Sequence, residues 1–180
     1  NDAIHVRKPI EQHRILLRGT ETGIPGLYTG PGWYWLNSTS YFLFNYHPIA
    51  PLISLIVINL VTTYLLVTYL RKRTSPQVAI FIGIILQFFW SYYDVTRYAF
   101  NPFLLVPLSF LLIISFVKII EGNQSALLLA AVSVGAAFHF EIASAIPWLF
   151  FYLLISFWLL YRKKINPQIF LSNSLIIVLF

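Results

Sequence analysis

From residue 33 to the last residue the chain is a succession of apolar runs separated by short polar breaks. The runs predict helices over roughly 33–45, 49–70, 77–91, 102–120, 124–138, 143–161 and 167–180. Several fall below the ~20 residues that cross ~30 Å of hydrocarbon, which leaves tilt, extension into the flanks or termination partway. Prolines at 48, 51, 76, 102, 107, 147 and 167 stand mostly near the predicted helix starts, with Pro107 and Pro147 placed to kink. Composition agrees with a membrane setting: 58% of residues are apolar and 10% charged, against about 25% charged in soluble domains. That much apolar surface equally excludes a disordered chain. The fold class expected is all-α, a polytopic transmembrane bundle.

Residues 1–32 are the one sizeable polar stretch and are expected to form an outer loop ahead of the multi-helix region 33–180. Pro9 and Gly19 frame a short amphipathic helix there, with Ile10, Leu16 and Leu17 on a side suited to lying on a membrane surface. The Gly- and Pro-dense segment 23–32 breaks regular structure, and Trp33, Tyr34 and Trp35 follow as an aromatic cluster of the interfacial kind. The polar start, with no signal-peptide pattern, and the apolar end lead us to expect an internal piece of a longer membrane protein, preceded by a helix.

Orientation follows from the basic residues. Arg71-Lys72-Arg73, Lys118 beside Glu121-Gly122-Asn123, and Arg162-Lys163-Lys164 occupy alternate breaks. With the first 45 or so residues outside, alternation sends all three to the cytoplasmic side, as the positive-inside tendency requires. The loop 1–32, the break Tyr92–Asn101 and the break His139–Glu141 then share the outer face. They gather Asp2, Glu11, Glu21, Asp94 and Glu141, five of the six acids, beside Trp90, Tyr92, Tyr93, Tyr98 and Phe100. Ionisable groups near membrane depth are costly and mark functional sites by default.

Each of these residues has two readings. Asp94 and Arg97, three apart, are either a helix-end ion pair or binding groups. His139 and Glu141, two apart, share no helical face and either close the mouth of a cavity or touch substrate. A His-x-Glu pair suits a zinc deaminase only with Cys ligands, and the chain has no cysteine. Arg7, Lys8, Arg14 and Arg18 are solvated charges, lipid-headgroup contacts or phosphate ligands. The chain carries no Walker loop, dinucleotide fingerprint or Gly-x-Ser-x-Gly elbow. Asn37-Ser38-Thr39 matches a glycosylation sequon. The formal charge of +6 points to membrane anchoring and not to nucleic acid, since the basic residues stand where a membrane protein needs anchors.

Four stretches, in order, resemble the polytopic GT-C glycosyltransferases, in the branch of protein O-mannosyltransferases, aminoarabinose transferases and RgtA-type enzymes. Asn1-Asp2-Ala3 is similar to the acidic motif after the family's first transmembrane helix. The segment Ile24 to Leu36 is similar to the end of its first outer loop, where Gly-Pro precedes Tyr-Trp. Arg97-Tyr98-Ala99-Phe100-Asn101-Pro102 resembles the segment leading into the fourth helix, and Gly135 to Glu141 a Gly-rich helix end that often reads Thr-Lys-Gly. Two departures stand out. Asn101-Pro102-Phe103 replaces a second Asp after Pro, and the Lys of Thr-Lys-Gly is absent, with His139 or Glu141 nearby.

The resemblance implies transfer of a sugar, with inversion, from a polyprenyl-phosphate-linked donor to a glycan, lipid or protein acceptor. It implies an integral membrane protein of a bacterial or archaeal plasma membrane with the site facing outward. By family position Asp2 is the general base. Arg97, then Arg7, Lys8 or Arg18, would steady the departing phosphate, Tyr98 and Glu141 would hydrogen-bond sugar hydroxyls, and Tyr34 with its neighbours would line the polyprenyl groove. Asp94 and His139 complete the expected substrate-binding set. A phosphate leaving on a lipid needs less metal help than a nucleotide diphosphate, so no tightly bound metal and no cofactor are expected. The rival reading is a transporter or flippase, which would favour charges within the helices.

Overall fold

A computed structural model of the chain describes residues 15–89 and 98–179, together with Val6, Gln12 and Asp94. Seven α-helices lie within them: α1 (Gly32–Leu43), α2 (Ala50–Arg71), α3 (Pro76–Phe88), α4 (Leu105–Ile120), α5 (Ala126–Phe140), α6 (Ile142–Tyr161) and α7 (Pro167–Leu179). A 3₁₀ turn, Asn101–Leu104, leads into α4. Three spans, Ala50–Arg71, Asn101–Ile120 and Ile142–Tyr161, are long and apolar enough to cross a membrane. Two of the helices start at a side-chain cap followed by proline. Ser75 Oγ accepts from Val78 N at the head of α3, ahead of Pro76, and Asn166 Oδ1 accepts from Gln168 N beside Pro167. Pro107 falls in the first turn of α4, where its missing N–H is not needed. Pro147 lies inside α6, which continues to Tyr161.

The centre of the bundle is α5, which packs against α1, α4, α6 and α7. Its sequence explains the position: Ala130, Ala131, Ser133, Val134, Gly135 and Ala137 are all buried. Small side chains let neighbouring backbones approach, the usual basis of helix association in lipid. Leu112, Phe116, Ile119, Leu127, Tyr152 and Leu159 fill the space around it. Between α2 and α3 a Cβ at Gly83 would lie 2.5 Å from Val67 Cγ2, so that contact depends on glycine. The outward faces are apolar, with Phe88, Tyr161 and Val178 exposed, as suits surfaces turned to lipid.

The run of polar residues in α1 satisfies itself. In α1 the four consecutive side chains of Asn37, Ser38, Thr39 and Ser40 donate to the carbonyls of Trp33, Tyr34, Trp35 and Leu36 at 2.7–2.9 Å. Back-bonding of this kind removes the cost of an unpaired polar group in an apolar setting. It also occupies Asn37, whose side chain is buried within the sequon.

The hydrogen bonds divide the bundle into two ends. At one, Arg73 pairs with Glu121, its Nε 3.0 Å from Glu121 Oε1, and Asn166 N donates to Gln124 Oε1 at 3.2 Å. The three basic breaks therefore share one end. At the other, Gly30 N donates to Phe138 O at 3.1 Å, and Asn101 Nδ2 reaches Phe140 O at 2.6 Å and Thr20 Oγ1 at 3.2 Å. The helix α1 stays at this second end. Its first residue is bonded to His139 at the close of α5, and Ser40 Oγ lies at hydrogen-bond distance, 2.7 Å, from Ser54 Oγ near the start of α2.

Two expectations are refined here. Residues 15–18, the end of the predicted juxtamembrane helix, are not helical; the rest of it lies almost wholly outside the described residues. They lead into a small hairpin closed by a Glu21–Tyr28 bridge. Ile24-Pro25-Gly26-Leu27 turns it, with Leu27 N bonded to Ile24 O and Gly26 at φ +81°, the positive angle that a type II turn demands at its third residue. The aromatic cluster is split as well. Trp33 and Tyr34 are buried with Leu55 and Leu104, because the helical turn aims them at α2 and the 3₁₀ turn. Trp35 alone of the three is exposed, and its Nε1 donates to Leu16 O at 2.9 Å.

Candidate active site

The hairpin end of the bundle encloses a polar cleft of about 300 Å³. Thr20, Glu21 and Thr29 contribute from the hairpin, Phe100 and Asn101 from the entry to α4, and Glu141 from the break between α5 and α6. Glu141 stands there because the chain becomes extended at this residue (φ −158°, ψ 104°), and its carboxylate caps α6 by accepting from Ala143 N at 3.4 Å. Glu21 holds its own loop, Oε1 accepting from Gly26 N at 2.9 Å. Asn101 ties the walls together: its amide nitrogen bonds both Thr20 Oγ1 and Phe140 O, and the residue is buried. The cleft thus holds two carboxylates, an amide and hydroxyls around one aromatic ring, a donor and acceptor set that matches the hydroxyl-rich face of a sugar.

His139 has a different place. It is buried, and its Nδ1 accepts from Gly32 N at 3.1 Å, which puts the proton of the neutral ring on Nε2. Gly30 and Gly32 flank the ring so closely that a Cβ at Gly32 would lie 2.7 Å from His139 Cβ, and one at Gly30 2.8 Å from its Cγ. Trp35 lies against it with ring centroids 5.7 Å apart. The Gly30-Pro31-Gly32 triplet is therefore shaped to the imidazole, and His139 anchors the end of the outer loop to α5.

The remaining candidates fall around this cleft or outside the described residues. Tyr98 Oη donates to Asp94 Oδ1 at 3.3 Å, and the Tyr98 ring lies 6.2 Å from that of Phe103, which stacks edge-on with Phe100 at 5.4 Å. Arg18, exposed, stands 5.7 Å over the Tyr28 ring on the hairpin. Tyr34 packs in the interior. Asp2, Arg7, Lys8 and Arg97 lie outside the described residues. Sequence reading placed Glu21 and Phe100 at this end without singling them out and noted Asn101 within the Arg97–Pro102 stretch and as a departure; Thr20 and Thr29 were not picked out as site residues. Their one visible signal was polarity beside a Gly-rich turn, which many surface loops share.

The comparisons bear on the same region. No curated protein and no solved structure matches the chain. The family model described as dolichyl-phosphate-mannose-protein mannosyltransferase matches residues 28–180, from the hairpin and its glycine triplet to the last helix. That match takes in every helix of the bundle and most of the chain, and the chain belongs to the dolichyl-phosphate-mannose-protein mannosyltransferase family, membrane glycosyltransferases of the GT-C type.

Proposed function

We propose that the chain transfers a sugar, with inversion, from a polyprenyl-phosphate-linked donor to an acceptor hydroxyl at the hairpin end of the bundle. The observation that carries this reading is the 300 Å³ cleft, polar and carboxylate-bearing, at the end opposite the three basic breaks. A pocket of that size lies at the lower bound of ligand sites. The positive-inside tendency assigns the basic end to the cytoplasm and so turns the cleft outward. Asp2 takes the proton from the acceptor hydroxyl, whose oxygen attacks the anomeric carbon as the bond to the lipid phosphate breaks. Arg97, helped by Arg7, Lys8 or Arg18, steadies the charge on the departing polyprenyl phosphate. Glu141 and Tyr98 hydrogen-bond sugar hydroxyls, with Asn101 and Glu21 framing the same pocket and Asp94 orienting Tyr98. His139 contributes by holding the loop. The acceptor is a hydroxyl of a protein, glycan or lipid.

Asp2→Asn in the full chain, assayed with radiolabelled polyprenyl-phosphate sugars, tests the assignment. Loss of the general base is expected to lower turnover roughly 10²- to 10⁴-fold. Unchanged turnover removes Asp2 from the mechanism. Uptake by proteoliposomes without any lipid-linked sugar would replace transfer by transport.

A further inference from the structure

The basic end of the bundle contains a second, larger cavity of about 520 Å³ between α2, α4 and the start of α5. Its rim carries Lys72, Arg73 and Lys118 against one carboxylate, Glu121. Arg73 is committed, paired with Glu121 and lying 3.8 Å over the Tyr69 ring. The two lysines are not: among the described residues neither side chain takes part in an ion pair or hydrogen bond, and the Lys118 ammonium has only the Tyr69 ring at 6.0 Å. Deeper in, Leu65, Leu111 and Ile114 make the wall apolar. A cationic rim above an apolar groove, at the level where a bundle meets headgroups, fits an anionic amphiphile better than it fits a soluble anion.

We propose that this cavity binds an anionic phospholipid of the leaflet at the basic end, with the phosphate between Lys72 and Lys118 and an acyl chain along Leu65 and Ile114. The Arg73–Glu121 pair ties the ends of α2 and α4 together at the rim. The site is remote from the sugar cleft and independent of the reading given above. Its role is to seat the bundle against a charged leaflet.

The test uses the full chain in nanodiscs of phosphatidylcholine carrying a minor fraction of phosphatidylglycerol, with retained lipid counted by native mass spectrometry. Lys72→Ala with Lys118→Ala is expected to weaken phosphatidylglycerol retention roughly thirtyfold, about fivefold for each lysine at an anionic surface. Lys163→Ala with Lys164→Ala, at the same end but outside the cavity, is expected to leave retention unchanged. Equal loss in the two double variants would mean diffuse attraction and overturn the site, as would full retention in the first. Displacement of the lipid by excess inorganic phosphate would make the ligand a free anion and also overturn it. Far-ultraviolet circular dichroism verifies that the bundle is intact. Should the alanine pair lose helix, Lys72→Gln with Lys118→Gln supplies the same test.

Discussion

The close fit of Gly32 to His139 makes Gly32→Ala a sharp perturbation. The added Cβ would meet His139 Cβ at 2.7 Å and Cγ at 3.0 Å. Reaching ordinary contact, about 3.4 Å or more, moves the loop or the ring by about 0.7 Å, since atoms at this spacing do not compress. The bond from Gly32 N to His139 Nδ1, now 3.1 Å, would stretch to about 3.8 Å and cease to be a hydrogen bond. Overpacking costs about 1–3 kcal/mol and the lost bond about 0.5–1.5 kcal/mol, together about 2–4 kcal/mol. For a chain of this size that is a fall in Tm of roughly 5–15 °C, read by thermal unfolding in detergent. A double-mutant cycle isolates the cause. His139→Gly removes both the Cβ and the ring that the new methyl strikes, so Gly32→Ala should cost almost nothing further in that background. Additive costs would refute the steric argument, and so would an unchanged Tm for Gly32→Ala alone.

Three further outcomes are expected. Asn101→Ala strips the donor from the half-buried Phe140 carbonyl and from Thr20, at about 1–3 kcal/mol; a matching drop in Tm, with weaker sugar binding by calorimetry, checks its role as the tie across the cleft. Asn37 is buried with its amide on Trp33 O, so expression in a eukaryotic secretory host should give no endoglycosidase-sensitive band that Asn37→Gln abolishes. The chain has no cysteine, so single thiols report without background. Thr74→Cys, Asn123→Cys and Lys163→Cys should react with an impermeant maleimide from one side of sealed vesicles and Gly23→Cys from the other. Labelling of Gly23→Cys and Thr74→Cys from the same side would break the two-ended architecture.

Hydropathy and charge were enough to read the bundle. The predicted runs 49–70, 102–120 and 143–161 match α2, the span Asn101–Ile120 and α6 within two residues, because burying twenty apolar residues in lipid is a local, additive effect. The gathering of the three basic breaks was equally legible, since alternation of crossings follows from counting helices, and Arg73–Glu121 and Gln124–Asn166 now join those breaks. At the ends of elements the sequence was weaker: α3 stops at Phe88 instead of 91, where Phe89 turns extended at ψ 123°.

Tertiary structure decided what the polar residues do. That Trp33 and Tyr34 face inward while Trp35 faces out depends on where α2 and the 3₁₀ turn stand, not on their shared aromatic character. His139 is a clamp because Gly32 lies against it, 107 positions away in the chain, and Asn101 shapes the cleft because Thr20 does, 81 positions away. Residue type and spacing say nothing of such pairings. They arise only when chain closure brings distant segments within hydrogen-bond reach, where a difference of about half an ångström separates a bond from a gap.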